Sequence, residues 1–265
     1  MKKVALIFFL IFNVTLVASQ RILLEGNSKT IDQVIINQSK LAHKEQVTAE
    51  DIRVAKRRLL NTGLFSDVKI RAEGDKVYIT VRERWTTIPI LKFSSGGGVG
   101  QVSLGLFDPN IAGRYIEAGG QYTRLDETNS GVAWLKIPRL NNSNWGLDFQ
   151  LWKTNRLRTK FNQQSTGPIV KTGFLQIRQK LYSALTYELS ENLMVKASYE
   201  FNKDKFSDRL IPIEAKDSIR RDGLPPRSKV HLIGGELEYG NLIDSGTEQE
   251  GMIASLSANT AISEG

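Results

Sequence analysis

The sequence predicts two unlike parts in one chain: a small α+β module of order β-α-α-β-β over residues 20–85, then an antiparallel all-β transmembrane barrel over 86–265. Three observations predict this. Helical apolar spacing is confined to the stretch before Gly63, the spacing beyond Trp85 falls to 2 and stays there, and the chain opens on a basic-then-apolar leader.

The leader, MKKVALIFFLIFNVTLVASQ, has Lys2 and Lys3, an apolar run from Val4 to Val17, and small residues at Ala18 and Ser19. That is the layout of a secretory signal peptide, here residues 1–19. Asn13 and Thr15 interrupt the run, which is shorter than the about 20 residues a spanning helix needs. The chain has no cysteine, so no disulfide framework and no thiolate metal site or nucleophile can form, and stability must come from packing or sheet closure. The net charge of +8 counts two leader lysines, and the other basic residues are interleaved with Asp and Glu, so no nucleic-acid partner is expected. Anionic lipid head groups account for an exported basic protein more simply, and a merely solvated surface more simply still.

In the module, RILLEG (21–26) reads as a strand ending in a turn at Gly26 and Asn27. Thr30 stands where an N-cap would, and Ile31, Val34, Ile35 and Leu41 keep helical spacing over 31–41. A second helix is signalled more strongly. Thr48 with Asp51 three residues on resembles a capping box, Ile52, Ala55, Leu59 and Leu60 share a face, and Gly63 supplies the left-handed stop. Phe65, Val68 and Ile70, then Val77, Ile79 and Val81, mark two strands about the EGD turn at 73–75. Gly63, Leu64 and Phe65 form the structural joint, with Phe65 dropping into the helix–sheet interface.

This order of elements, with LLEGNSKT (23–30), GLFSDV (63–68) and VYITVRERW (77–85), resembles a POTRA domain over residues 21–85. POTRA domains are the periplasmic modules of the BamA/TamA superfamily of outer-membrane insertases and their two-partner-secretion relatives.

Past Trp85, alternation recurs in about eight segments. The clearest is LMVKASYEF, where Leu193, Val195, Ala197, Tyr199 and Phe201 share one face and Lys196, Ser198 and Glu200 the other. A soluble sandwich with its apolar face inward and a membrane barrel with its apolar face outward both fit, and periodicity alone does not separate them. Segments as long as 145–161 and 173–189, short turns such as NNSN (141–144) set against polar loops such as DETNSG (126–131) and IEAKDSIRRDGLPPRS (213–228), and aromatics near segment ends (Trp85, Trp145, Tyr187, Phe201) favour the membrane. FDPNIAGRY (107–115) is similar to the turn between the first two barrel strands of the superfamily, with Asp108, Asn110 and Gly113 in the matching places.

Barrels of the superfamily have about twice as many strands, the Val-Arg-Gly-Phe loop motif has no match beyond the superficial IRRDGL (219–224), and no terminal aromatic strand follows. An open sheet in lipid would leave unpaired backbone groups at both edges, each costing several kcal/mol. The barrel is therefore expected to be incomplete: a fragment, a truncated gene product or one of two assembling halves.

GGGVG (96–100) lacks the Gly-Lys-Ser/Thr of a phosphate loop and reads as part of an early barrel strand, where the resemblance places a weakly paired lateral seam. His43 and His231 stand apart, and no nucleophile–base set is recognisable, so no catalytic residue, metal or cofactor is expected. The resemblance implies assembly, insertion or translocation of outer-membrane or secreted proteins, with the barrel in the bacterial outer membrane and the POTRA domain in the periplasm. Its partners would be extended clients, accessory assembly proteins and outer-membrane lipid. Clients would add as strands to the module's edge at Phe65, Ser66, Asp67, Val68, Lys69 and Ile70. The alternatives are a channel or structural barrel with the POTRA domain as a docking spacer, or a non-functional remnant.

Overall fold

The computed structural model describes residues 20–42, 44–96, 99–125, 128–162, 170–190, 192–208, 223–244 and 249–264. The leader, 1–19, and most of the polar stretch 213–228 lie outside the described residues.

The N-terminal module runs β1 (Arg21–Glu25), α1 (Asp32–Ser39), α2 (Ala49–Asn61), β2 (Phe65–Glu73) and β3 (Lys76–Glu83). Its sheet has the order β1-β3-β2, with β1 parallel and β2 antiparallel to β3. Val34, Ile35, Leu41, Ala55 and Leu59 from the helical side meet Phe65, Val68, Val77, Ile79 and Val81 of the sheet in one buried core. The capping box at α2 is formed. Thr48 Oγ1 accepts the Asp51 N–H at 3.1 Å, and the Asp51 carboxylate accepts the Thr48 N–H at 3.0 Å. These Thr48 bonds, with Lys44 beside them, hold the Asp51 carboxyl at about 2. At the far end Gly63 takes φ +73°, the left-handed conformation that stops the helix. The start of α1 differs from the expectation. The residue before the helix is Ile31, which makes no side-chain cap, and Thr30 is instead turned inward and 2% exposed. Its hydroxyl is taken by a residue from the second body of the chain, as described below.

The second body is a single nine-stranded antiparallel sheet in sequence order: β4 (Ile88–Gly96), β5 (Val99–Asp108), β6 (Glu117–Leu125), β7 (Thr128–Ile137), β8 (Trp145–Asn162), β9 (Val170–Ser190), β10 (Leu193–Ser207), β11 (Ser228–Asp244) and β12 (Gln249–Glu264). About eight strands were expected. The Gly-rich end of β4 hides its alternation in the sequence, and DETNSG, read as a polar loop, contributes Thr128 to Gly131 to β7. Strands β8, β9, β11 and β12 have 18, 21, 17 and 16 residues, longer than the about 9–11 a membrane crossing takes. Among the described residues the sheet is open, with β4 and β12 as its two edges.

Register assigns the faces. Leu91 lies opposite Leu104 and Leu104 opposite Tyr122, and Leu151, Leu181 and Phe201 form a row across β8, β9 and β10. This apolar face is the exposed one: Leu91 is 67%, Leu104 49% and Leu256 75% accessible. The opposite face is polar and largely paired, although Asn202 Oδ1 is buried without a partner. Ser103, Asn202 and Asp204 are buried there, and ion pairs cross the strands at Arg178–Asp204 (2.8 Å), Lys180–Glu200 (2.6 Å) and Lys196–Glu236 (2.6 Å). A soluble sandwich requires the reverse arrangement, so the faces resolve the ambiguity that periodicity left open in favour of the membrane barrel.

Candidate functional site

Among the described residues strand β2 pairs with β3 on one side only, so its other side is an open edge of the module's sheet. The joint that leads into it explains its sequence. Thr62 Oγ1 donates to the Leu59 carbonyl at 2.6 Å and accepts the Leu64 N–H at 3.2 Å, which closes the helix end around Gly63. Leu64 and Phe65 follow as fully buried side chains. Phe65 and Val68 are three residues apart, yet both are fully buried. Strict alternation would send them to opposite faces. The register shift between Phe65 and Asp67 resolves this, because Phe65 faces Glu83 while Asp67 faces Arg82. Ser66 is the extra residue of this β-bulge, exposed and bonded through its hydroxyl to the Arg82 carbonyl at 3.1 Å. Lys69 is exposed and Ile70 half-buried. The six residues read from the sequence as a docking edge thus lie on one edge strand, with two side chains anchored in the core.

Asp108 ends β5, and Asn110 and Gly113 lie between β5 and β6, the second and third strands of the sheet, not the first and second, because β4 precedes them. They do more than turn the chain: with residues 28–31 and 83–87 they build the seat of the module on the sheet. Lys29 Nζ donates to Asp108 Oδ2 at 2.7 Å and to Thr86 Oγ1 at 2.6 Å, and Thr87 Oγ1 donates to the same Asp108 oxygen at 2.7 Å. Asn110 is 1% exposed and its side chain is satisfied at both ends, its amide donating to Thr30 Oγ1 at 2.9 Å and its carbonyl accepting the Tyr115 N–H at 2.8 Å. The Asn110 N–H donates to Asp108 Oδ1 at 2.7 Å. The Gly113 carbonyl accepts the Ile31 N–H at 3.0 Å. Glycine is required here twice over: its φ is +70°, and a Cβ would lie 1.9 Å from the Lys29 carbonyl oxygen.

Glu83, at the end of β3, gathers the loop from below. Its carboxylate accepts the N–H groups of Ser28 (3.1 Å), Lys29 (2.9 Å) and Thr30 (2.6 Å) and the Ser28 hydroxyl (2.7 Å). Burial works against its charge, but these bonds from Thr30, Lys29 and Ser28 prevail and hold its carboxyl at about 2. Tyr115 packs against the module's core, and Lys40 at the end of α1 pairs with Glu188 of β9, which also pairs with Arg139. The module is therefore fixed to two places on the rim of the sheet. Sequence reading missed Lys29, Glu83, Thr86, Thr87, Lys40, Arg139 and Glu188. The SKT triplet at 28–30 was the available signal, and it was spent on a helix cap.

Of GGGVG, Gly96 ends β4 and Val99 and Gly100 open β5, so its described residues lie in the first two strands of the sheet as expected, with Gly97 and Gly98 outside the described residues. Of the aromatics expected at segment ends, Trp145 and Tyr187 do form a cross-strand pair at the rim nearest the module, with ring centroids 4.6 Å apart. Trp85 is 85% exposed in the link to β4, whereas Phe201 lies in mid-strand, level with Leu181. Among the described residues no cluster of His, Asp and Glu suits a metal ion.

A family model described as "POTRA: Surface antigen variable number repeat" matches residues 18–84. No curated protein sequence matches the chain. Among solved structures, CdiB from Escherichia coli aligns at a TM-score of 0.51 and 12% identity, over 92% of this chain and 46% of that one. BamA from Haemophilus ducreyi lacking POTRA domains 1–3 aligns at 0.48 and 13%, over 92% and 55%, and CdiB from Acinetobacter baumannii at 0.48 and 9%, over 93% and 46%. The chain spans about half the length of these structures. A POTRA-type βααββ domain followed by an antiparallel sheet of barrel strands, the fold shared with CdiB from Escherichia coli, is the fold of this chain.

Proposed function

We propose that the chain serves outer-membrane protein assembly, insertion or translocation, with extended client segments adding as strands to the open edge of β2. The barrel lies in the bacterial outer membrane and the POTRA domain in the periplasm. The observation that carries this reading is an unpaired strand edge on a module bonded to the barrel rim through Lys29–Asp108 and Lys40–Glu188. Main-chain hydrogen bonds to such an edge supply affinity without demanding a client sequence, and the exposed Ser66 and Lys69 contribute selectivity. Accessory assembly proteins would dock on the same soluble module.

The test uses two adjacent proline variants of the full chain, Val68→Pro and Lys69→Pro. Beyond the bulge, successive N–H groups point to opposite edges, so one variant removes a donor facing the client and the other a bond of the β2–β3 ladder. Binding of an extended, alternating apolar–polar peptide from an outer-membrane barrel strand should fall in the first variant with helical circular dichroism intact. If neither variant weakens binding while the helices stay folded, the strand-addition reading fails. The polar, ion-paired inner face favours one other reading, a channel. Conductance in planar bilayers, with outer-membrane protein insertion unchanged when the protein is depleted, would establish it in place of the first.

A further inference from the structure

On the lipid-facing side of the sheet, directly beyond the apolar row Leu151–Leu181–Phe201, the next row across the same three strands is Lys153–Gln179–Lys203. The row after that is Asn155–Ile177–Lys205. These rows lie on the side of the apolar band away from the POTRA domain, since β8 and β10 both leave the module's end at Trp145 and Leu193. Lys153 and Lys203 flank Gln179 at two strand spacings, about 10 Å between backbones. They face a cavity of about 460 Å³ that Lys205, Asn155 and Ile177 also line. None of the ion pairs among the described residues involves Lys153, Lys203 or Lys205.

Lys153 and Lys203 stand on either side of neutral Gln179 in one row, and an anion placed between them would offset their like-charge repulsion. On the inner face of the same strands Arg178, Lys180 and Lys196 each have a carboxylate within 2.8 Å, a partner that Lys153, Lys203 and Lys205 lack among the described residues.

We propose that Lys153, Lys203 and Lys205, with Gln179 and Asn155 as neutral hydrogen-bonding neighbours, form a docking site for the phosphate-bearing headgroup of a lipid in the leaflet away from the POTRA domain. The acyl chains of that lipid lie along the Leu151–Leu181–Phe201 row, and the phosphates meet the lysine ammonium groups one row above. The proposal rests on the membrane reading of the sheet and adds to it a specific headgroup chemistry and place.

The test counts diphosphoryl lipid A retained by the full chain in neutral detergent, by native mass spectrometry, for the native protein, the triple Lys→Gln variant at 153, 203 and 205, and the matching triple Lys→Arg variant. At about fivefold per lysine near a charged lipid surface, the Gln variant should lose on the order of a hundredfold in affinity, while the Arg variant holds it. Equal retention by the native and Gln proteins would overturn the site, as would equal retention of dephosphorylated lipid A by the native protein. Quenching of the tryptophan fluorescence by brominated phosphatidylcholine after reconstitution reports insertion independently of the lysines. Quenching with no lysine dependence overturns the lipid site and leaves the membrane reading standing; no quenching in any variant overturns both.

Discussion

The two bodies of this chain solve the same problem in opposite ways. In the POTRA domain Phe65, Val68, Ile79 and Leu59 are hidden and Lys69 is exposed. In the barrel sheet Leu91, Leu104 and Leu256 are exposed, while Ser103, Asn202 and Asp204 are buried. Both are built from alternating strands, so the difference lies in the solvent each was shaped for. A water-facing sheet gains by removing apolar surface from contact, and a lipid-facing sheet gains nothing that way and instead must pair every polar group internally. The seat between them, with buried Asn110 and the Glu83 and Asp108 carboxylates each taking several donors, belongs to neither scheme and is held by hydrogen bonds.

The contrast can be broken most severely from the POTRA side. Phe65→Ala removes a fully buried ring from the core and should cost about 3–5 kcal/mol, read as a fall in the denaturation midpoint of the helical signal. Next comes the lipid face, where Ile233→Arg, in the row midway between the Trp145–Tyr187 pair and the Lys153–Lys203 row, should cost about 2–4 kcal/mol for reconstituted protein, the toll of a cation near the bilayer midplane. The same change would be nearly neutral if that face met water, so folding titrations in vesicles discriminate.

At the seat, Lys29→Met deprives Asp108 of its charged partner and leaves a carboxylate short of a donor, an effect of about 1–3 kcal/mol. Spin labels on α2 and β8 should then show a broadened distance distribution, with both bodies still folded. The smallest effect is on pH. The Glu83 carboxyl sits at about 2 in the fold against an ordinary value of 4.5. Its contribution is therefore fully present above about pH 4.5 and lost only as pH falls toward 2. The label distances should stay narrow from neutral pH to pH 4.5 and broaden below it; broadening near pH 6 would exclude Glu83 as the group responsible.

Local chemistry made much of the fold legible. Thr48 and Asp51 announced the start of α2 and Gly63 its end, because capping and left-handed stops are decided within a few residues. The bulge at Ser66 was not read as such, although Phe65 and Val68, both apolar at odd spacing, carried its mark. Which face of the barrel strands meets solvent was beyond periodicity, since inside-out and outside-in sheets share the same alternation. The seat was hidden for another reason: Lys29 and Asp108 are 79 residues apart, and Thr30 as a tertiary acceptor looks identical in sequence to Thr30 as a helix cap. The edge strand was legible as a strand, and the order β1-β3-β2 is what places it at the edge.

The most direct measurement uses the absence of native cysteine, so that any label reports an introduced one. Single cysteines at each position from Val195 to Glu200 of β10 are reconstituted into vesicles and challenged with a membrane-impermeant maleimide. Cysteines replacing Lys196, Ser198 and Glu200 should label and those replacing Val195, Ala197 and Tyr199 should stay protected until detergent is added. Uniform labelling, or protection of the even positions instead, would contradict a lipid-facing apolar surface and with it the barrel reading of residues 88–264.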